Sequence, residues 1–366
     1  MKLALITDQH FGARSDSPVF HDFFEKFYKE FFFPYLKENE IKTIIDLGDT
    51  FDRRKYISYY SLDRARRYWF DPIVANNHLL ISLVGNHVIP YKNTLSINAL
   101  DLLLKEYYAH VLVVSKPELY EFPNDPMGDN STLDNRLRVL MVPWICEDNE
   151  EETLQLIKET KAQVCFGHLE LGGFEMYKGS LIFDGMNASI FDKFDVVCSG
   201  HYHHKSTRGN INYLGCPYEM TWSDYDDPKG FHIFDTETRS LTFIQNPYRM
   251  FYKIFYDDSN KTLNEILKED FSKYTGTHVK IVVKTKNNPY WFDLMIDKLE
   301  KSGTVNIQVV DDHLNLNLET DDEIINEAED TITILKKYVD NLEIETDKPA
   351  LETLLRSLYE ESLSVE

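Results

Sequence analysis

Five short segments carry side chains that bind metals or move protons: Asp8-Gln9-His10, Gly48-Asp49, Gly85-Asn86-His87, Gly167-His168 and Gly200-His201-Tyr202-His203. Asp8 and His10 stand two apart, as do His201 and His203, so in extended chain each pair projects to one side. Asp49 follows an apolar run and a glycine, and its two carboxylate oxygens suit it to bridge two cations. Asn86 adds an amide oxygen and His168 an imidazole. A mixed nitrogen and oxygen donor set suits manganese, with magnesium, iron or zinc as alternatives. Two such ions held about 3.5–4 Å apart cleave phosphate esters. Each motif alone is weak; five of them, all predicted at strand ends, form a joint signal.

The elements that must position these residues are legible in the apolar patterning. Leu3 to Thr7, Thr43 to Leu47, Leu79 to Val84, Val111 to Ser115, Val139 to Pro143, Gln163 to Phe166 and Val196 to Ser199 read as buried strands. Helical patterns lie between several of them, over Phe20 to Asn39, Ser61 to Asn76, Leu95 to Tyr107 and Glu150 to Thr160. This alternation predicts an α/β layered fold, a β-sandwich domain flanked by helices. Ligands of such sheets bind beyond the carboxyl ends of the strands, where all five motifs fall. Strands over Gly230 to Thr236 and Ser240 to Gln245 complete the first domain, predicted over residues 1–246. A strand, helix and strand over His278 to Lys284, Tyr290 to Ser302 and Val305 to Asp311 predict a small α+β cap over 247–318. Residues 319–366 read as an acidic linker and a helical tail, whose last helix, Pro349 to Leu363, aligns Leu351, Leu354, Leu355 and Leu358 on one stripe.

Composition narrows the function classes. The formal net charge of −22 argues against nonspecific nucleic-acid binding by the whole surface. Roughly half of that excess falls after Leu318, while basic residues gather early, at Arg53-Arg54-Lys55 and over Arg64 to Arg67. The first cluster directly follows a metal motif, so a phosphate-facing role is expected there, with Lys92 as a further DNA contact. Cys146, Cys165, Cys198 and Cys216 form no CxxC pair and read as reduced thiols of a cytoplasmic protein. No run of about 20 apolar residues occurs, so a transmembrane helix is not expected, and the first residues read as a strand instead of a signal peptide. His21, His78, His110, His232, His278 and His313 lie outside the motifs and read as structural; His204 suits either the site rim or the surface.

Taken together, the chain resembles a calcineurin-like metallophosphoesterase. More narrowly it is similar to the nuclease (SbcD-type) subunit of SbcCD double-strand-break repair complexes and to the recombination endonuclease subunits of tailed bacteriophages. The resemblance rests on Gly48 to Lys55, Tyr91-Lys92-Asn93, Pro143 to Glu147, Gly167 to Phe174, Gly215-Cys216-Pro217 and Asp227 to Phe231. It implies one metal held by Asp8, His10, Asp49 and His203, and a second by Asp49, Asn86, His168 and His201. It also implies manganese-dependent exonuclease and endonuclease action on double-stranded and single-stranded DNA, with His87 donating a proton to the leaving oxygen or orienting the phosphate. The implied partners are an SbcC-like SMC ATPase, docked on the last helix, and a second copy of the chain. The location would be cytoplasmic, in a host cell if the chain is of phage origin.

Two residues depart from the family pattern. Val88 stands where the family has an aspartate that holds the histidine ring, so impaired turnover is expected unless Tyr91 or a water takes over that task. Asp52 stands where cellular members have a histidine, which adds negative charge near the phosphate. The competing readings are a phosphoprotein phosphatase, a small-molecule phosphodiesterase, and a non-catalytic metal-binding scaffold.

Overall fold

A computed structural model describes residues 1–124 and 136–311. The strands run in chain order as β1 (Lys2–Ile6), β2 (Thr43–Asp46), β3 (Leu79–Leu83), β4 (Val111–Val114), β5 (Glu118–Pro123), β6 (Arg136–Val142), β7 (Val164–His168), β8 (Phe174–Tyr177), β9 (Ser180–Ile182), β10 (Val196–Gly200), β11 (Ser206–Arg208), β12 (Ile211–Tyr213), β13 (Gly230–Asp235) and β14 (Leu241–Gln245). They build two six-stranded sheets, ordered β14-β13-β1-β2-β3-β4 and β11-β12-β10-β7-β6-β5, beside a β8-β9 hairpin. The inner strands of each sheet are parallel, β1 to β4 in one and β6, β7, β10 and β12 in the other.

The two-residue period of the strands explains the layering. Leu3, Leu5, Ile45, Ile81 and Leu83 point from the first sheet toward Val139, Met141, Phe166 and Cys198 of the second, forming an apolar seam between the sheets. The alternate residues Ala4, Ile6, Ile44 and Leu80 face helices rich in aromatic side chains, among them Phe24, Phe27, Tyr28, Phe32, Trp69 and Phe70. On the outer face of the second sheet, Leu140, Val142, Cys165 and Val197 pack against Phe191 and Phe194. The result is the expected sandwich with helices outside it. The predicted helix over Leu95 to Tyr107 is much shorter than its pattern, spanning Ala99–Leu103. Asn98 caps it by accepting from the Asp101 amide at 2.9 Å, which delays its start.

Residues beyond Asn246 form a third sheet, ordered β15 (Phe251–Asp257), β16 (His278–Thr285), β17 (Asn306–Asp311). β15 and β16 are parallel and joined through the helix Leu263–Lys268, while Pro289–Lys301 leads from β16 to β17. The sequence reading missed β15 because its residues do not alternate cleanly between buried and exposed. Met1–Val310 forms one compact unit. The expected acidic linker, the last helix and the proposed ATPase dock lie outside the described residues, as does His313.

Glu219 ties the start of the third sheet to the segment that precedes β13. Its buried carboxylate accepts from the amides of Met250 and Phe251 at 2.7 and 2.9 Å. Burial pushes its pKa up to about 7. The folded protein thus holds this proton more tightly than the unfolded chain does. The contribution to stability is full below the ordinary glutamate range and is lost as pH rises through about 7. Glu219→Gln is expected to remove that slope, worth about 3 kcal/mol across the window, as read from urea denaturation at several pH values.

Candidate metal centre

The chain places the five motifs together because both sheets end on one side. Asp8 and His10 follow β1, Asp49 follows β2, Asn86 and His87 follow β3, His168 ends β7, and His201 and His203 follow β10. Register aligns these ends: Asp46 pairs with both Ile6 and Ser82 across β1, β2 and β3, and His168 pairs with Gly200. Asp8, His10, Asp49 and His201 adopt left-handed backbone conformations, with φ of 52°, 47°, 55° and 86°. Such conformations cost energy for residues with a Cβ and gather at functional sites. The glycines of the motifs are required by close approach. A Cβ on Gly85 would come 2.2 Å from Asp49 Oδ1, and one on Gly200 would come 2.0 Å from Thr7 Oγ1.

Two groups of donors converge. Asp8, His10 and His203 form one, and Asp49, His168 and His201 the other, each with its ligand atoms within 4.8 Å of one another. In the first group His10 Nε2 faces His203 Nε2 at 3.0 Å and Asp8 Oδ1 at 3.9 Å. In the second, His168 Nε2 lies 3.2 Å from Asp49 Oδ2. One end of the Asn86 carboxamide sits between His168 Nε2 and His201 Nδ1, at 3.0 and 3.1 Å. Its other end lies 2.9 Å from Arg54 Nη2.

The far sides of the rings decide which nitrogen faces inward. His168 Nδ1 donates to the Leu47 carbonyl at 2.7 Å, which leaves the Nε2 lone pair aimed at Asp49 and Asn86. His10 Nδ1 lies 3.3 Å from the Asp52 carboxylate, and His201 Nε2 lies 3.8 Å from that of Glu170. The Leu47 contact fixes the tautomer of His168, while His10 Nδ1 and His201 Nε2 face their carboxylates outside hydrogen-bond geometry. Lone pairs packed this closely repel one another unless a cation lies among them, so the donor set fits divalent metal ions.

In the metal-free chain a proton stands in for a cation between His168 and Asp49. Burial opposes charge on His168, but the adjacent Asp49 carboxylate outweighs it and lifts the ring to about 9. Burial also works against the Asp49 anion, yet the His168, His87 and His10 charges hold its pKa well below the usual range. Burial pushes Asp52 up, but its close contact and charge interaction with His10 and the charges of His87 and Arg53 leave it below the usual range. Asp52 therefore serves as the partner of His10, a role that the sequence reading did not assign to it.

Other supporting residues also escaped the sequence reading. Asp46 is fully buried, and burial raises its pKa to about 7. It accepts from Gly48 N at 3.1 Å, Thr50 Oγ1 at 2.7 Å and Ser82 Oγ at 2.9 Å, which fixes the turn that presents Asp49. An acid inside the apolar run Thr43-Ile44-Ile45-Asp46 was the available signal. Lys229 is buried, and its Nζ donates at 2.8 Å to Asp227, to Asp224 and to the His203 carbonyl, holding the backbone of that residue. His204 belongs to this network, with Nδ1 3.0 Å from Asp227 Oδ1. Of the expected phosphate contacts, Arg54 reaches the site through Asn86, while Arg53 lies over the Tyr56 ring at 5.1 Å. Lys55 and Lys92 are exposed.

The calcineurin-like phosphoesterase family profile matches residues 1–205, more than half of the chain. The chain belongs to the calcineurin-like phosphoesterases. This phosphoesterase is 31% identical over 365 residues, 99% of each chain, to exonuclease subunit 1 of Enterobacteria phage T4. The SbcD component of the SbcCD nuclease from Staphylococcus saprophyticus matches it over 95 residues at 30% identity, covering 24% of this chain and 25% of that one. The corresponding SbcCD component of Staphylococcus epidermidis matches over 154 residues at 25% identity, covering 39% and 37%. No helix among the described residues of the phosphoesterase is long and apolar enough to cross a membrane.

The phosphoesterase orients His87 without an acid at position 88. His87 Nδ1 lies 2.5 Å from the Asp52 carbonyl, and its amide donates to Asp49 Oδ1 at 2.8 Å. Neither Tyr91 nor a water is needed for this. Val88 itself is fully buried in the aromatic and aliphatic core beside the first sheet. Val88→Asp would bury a carboxylate there, with an expected loss of about 3 kcal/mol of stability and no gain in turnover. Chemical denaturation and steady-state rates check this; unchanged stability with faster turnover would show that the acid reaches the ring.

Proposed function

We propose that this chain is the nuclease subunit of an SbcCD-like recombination and repair complex, hydrolysing DNA phosphodiesters at a two-manganese centre. The observation that carries the reading is the convergence of Asp8, His10 and His203, and of Asp49, His168 and His201, at the strand ends. In this reading Asp8, His10, Asp49 and His203 hold one ion, and Asp49, Asn86, His168 and His201 hold the other. When bound, the ions would supply an activated water and Lewis-acid stabilisation of the charge that develops on the phosphate. Arg54 would draw the phosphate toward Asn86, with Arg53, Lys55 and Lys92 as weaker contacts on the DNA backbone.

His87 would serve the leaving oxygen. Because Nδ1 faces a carbonyl, Nδ1 carries the proton in the neutral ring and Nε2 is an acceptor. Donation from Nε2 therefore requires the imidazolium. Burial and the His10 charge outweigh the Asp49 charge, the Asp52 carbonyl and the Asp52 charge, so the ring's pKa lies below the ordinary histidine value. An arriving phosphodiester anion would have to restore the protonated form. The ring is held in place without an acid at position 88, so an active enzyme is favoured over a scaffold.

The full-length likeness to a protein named as an exonuclease subunit supports a nuclease that works with a partner. An SMC-type ATPase docked on the last helix, a homodimer and a cytoplasmic setting, in a host cell if the chain is of phage origin, complete the proposal. The test is manganese-dependent cleavage of end-labelled double-stranded and single-stranded DNA by the purified chain, beside a phosphopeptide and bis(p-nitrophenyl) phosphate. DNA loss that EDTA stops is expected. Phosphopeptide hydrolysis with intact DNA would favour the phosphatase reading, and cleavage of the small diester alone the small-molecule phosphodiesterase.

A further inference from the structure

A cavity of about 360 Å³ opens beside the second donor group, with Trp144, Glu147, Glu150, Glu170, Leu171 and Met186 in its walls. It adjoins the metal centre directly. The Trp144 ring centroid lies 5.0 Å from that of His201, and Glu170 Oε1 lies 3.8 Å from His201 Nε2. Both walls are fixed in advance. Trp144 N donates to the Val84 carbonyl at 2.8 Å, while Asn149 grips the Trp144 carbonyl at 2.9 Å and the Cys146 amide at 2.7 Å. Opposite, Leu171 and Met186 form a bridge, and Met186 N donates to the Glu170 carbonyl at 2.9 Å.

The lining chemistry selects a ligand. The volume stands near the lower end of small-molecule sites, roughly 300–1,000 Å³, which suits one nucleoside and excludes a duplex. Its walls offer an indole face, apolar Leu171 and Met186, and three carboxylates; among the described residues no basic side chain lines it. Such a surface repels phosphate. It accepts a flat π-system that stacks on tryptophan and presents N–H donors to carboxylates.

We infer that this cavity is a nucleobase subsite, which seats the base of the nucleotide next to the scissile phosphate. The inference rests on the nuclease reading and deepens it: stacking on Trp144 would draw one unpaired nucleotide out of the strand, so cleavage would favour frayed or single-stranded positions. The step adds no new bond-making to the reaction.

The test compares single-stranded oligonucleotides that carry either a base or an abasic residue beside the cleaved bond. The manganese-loaded wild type is expected to prefer the base by roughly 10-fold or more in kcat/KM, the size of base–aromatic stacking. Trp144→Ala is expected to bring that ratio close to one. Met186→Trp, which fills the cavity, should lower cleavage at the base-bearing site to the abasic rate and leave bis(p-nitrophenyl) phosphate hydrolysis unchanged. An oligonucleotide with 2-aminopurine at the same position should lose fluorescence on binding the metal-free wild type and not the Met186→Trp variant. Equal wild-type rates with and without the base would overturn the subsite and leave the nuclease reading standing. Failure to cleave either oligonucleotide, by protein that still hydrolyses the small diester, would overturn both.

Discussion

Asp49→Asn is expected to lower DNA cleavage by at least ~10³-fold, through the loss of several kcal/mol of metal-based transition-state stabilisation. The substitution keeps the shape of the side chain and the acceptor for the His87 amide, now 2.8 Å from Oδ1. It removes the charge that pairs with His168 at 3.2 Å and that the proposed site shares between two ions. Calorimetric titration with manganese should therefore show fewer than two tightly bound ions. Two ions bound with wild-type affinity would mean that Asp49 is not shared between them.

His87→Gln is expected to act differently. The His87 ring lies outside the two donor groups described above, but its ligand atoms cluster with those of His10 and Asp52, and it stands against His10 edge to face with ring centroids 4.7 Å apart. Its loss should lower kcat by about 10²–10⁴-fold, the usual worth of general acid–base help, while manganese stoichiometry stays at the wild-type value. A fall in metal binding of the same size would instead make His87 a support for His10. Comparison of the two variants separates the binding of the ions from the handling of the leaving group.

Much of this arrangement was legible in the sequence because strand ends are local signals. Apolar runs closed by Gly-Asp, Gly-Asn-His or Gly-His placed the donors at the carboxyl ends of β2, β3 and β7, and the two-sheet layering followed from the same runs. What the sequence concealed depends on contacts between distant segments. Asp52 meeting His10, and the Asp52 carbonyl meeting His87, require the turn after β2 to fold back over β1 and β3. Val88 therefore read as the loss of an anchor, although a backbone oxygen, which no residue identity reveals, supplies one. Lys229 read as part of a family motif and not as the clamp on His203, since its three acceptors come from separate positions in the chain. β15 escaped because of its irregular burial pattern, and the helix predicted over Leu95 to Tyr107 was read too long because an interior cap delays its start.

In the proposed centre two ions are held with Asp49 shared between them. The most direct measurement is a crystal structure of the manganese-soaked protein with anomalous scattering. Two manganese peaks are expected, one enclosed by Asp8, His10, Asp49 and His203, the other by Asp49, Asn86, His168 and His201. A single peak, or a pair of peaks that Asp49 does not join, would contradict that centre.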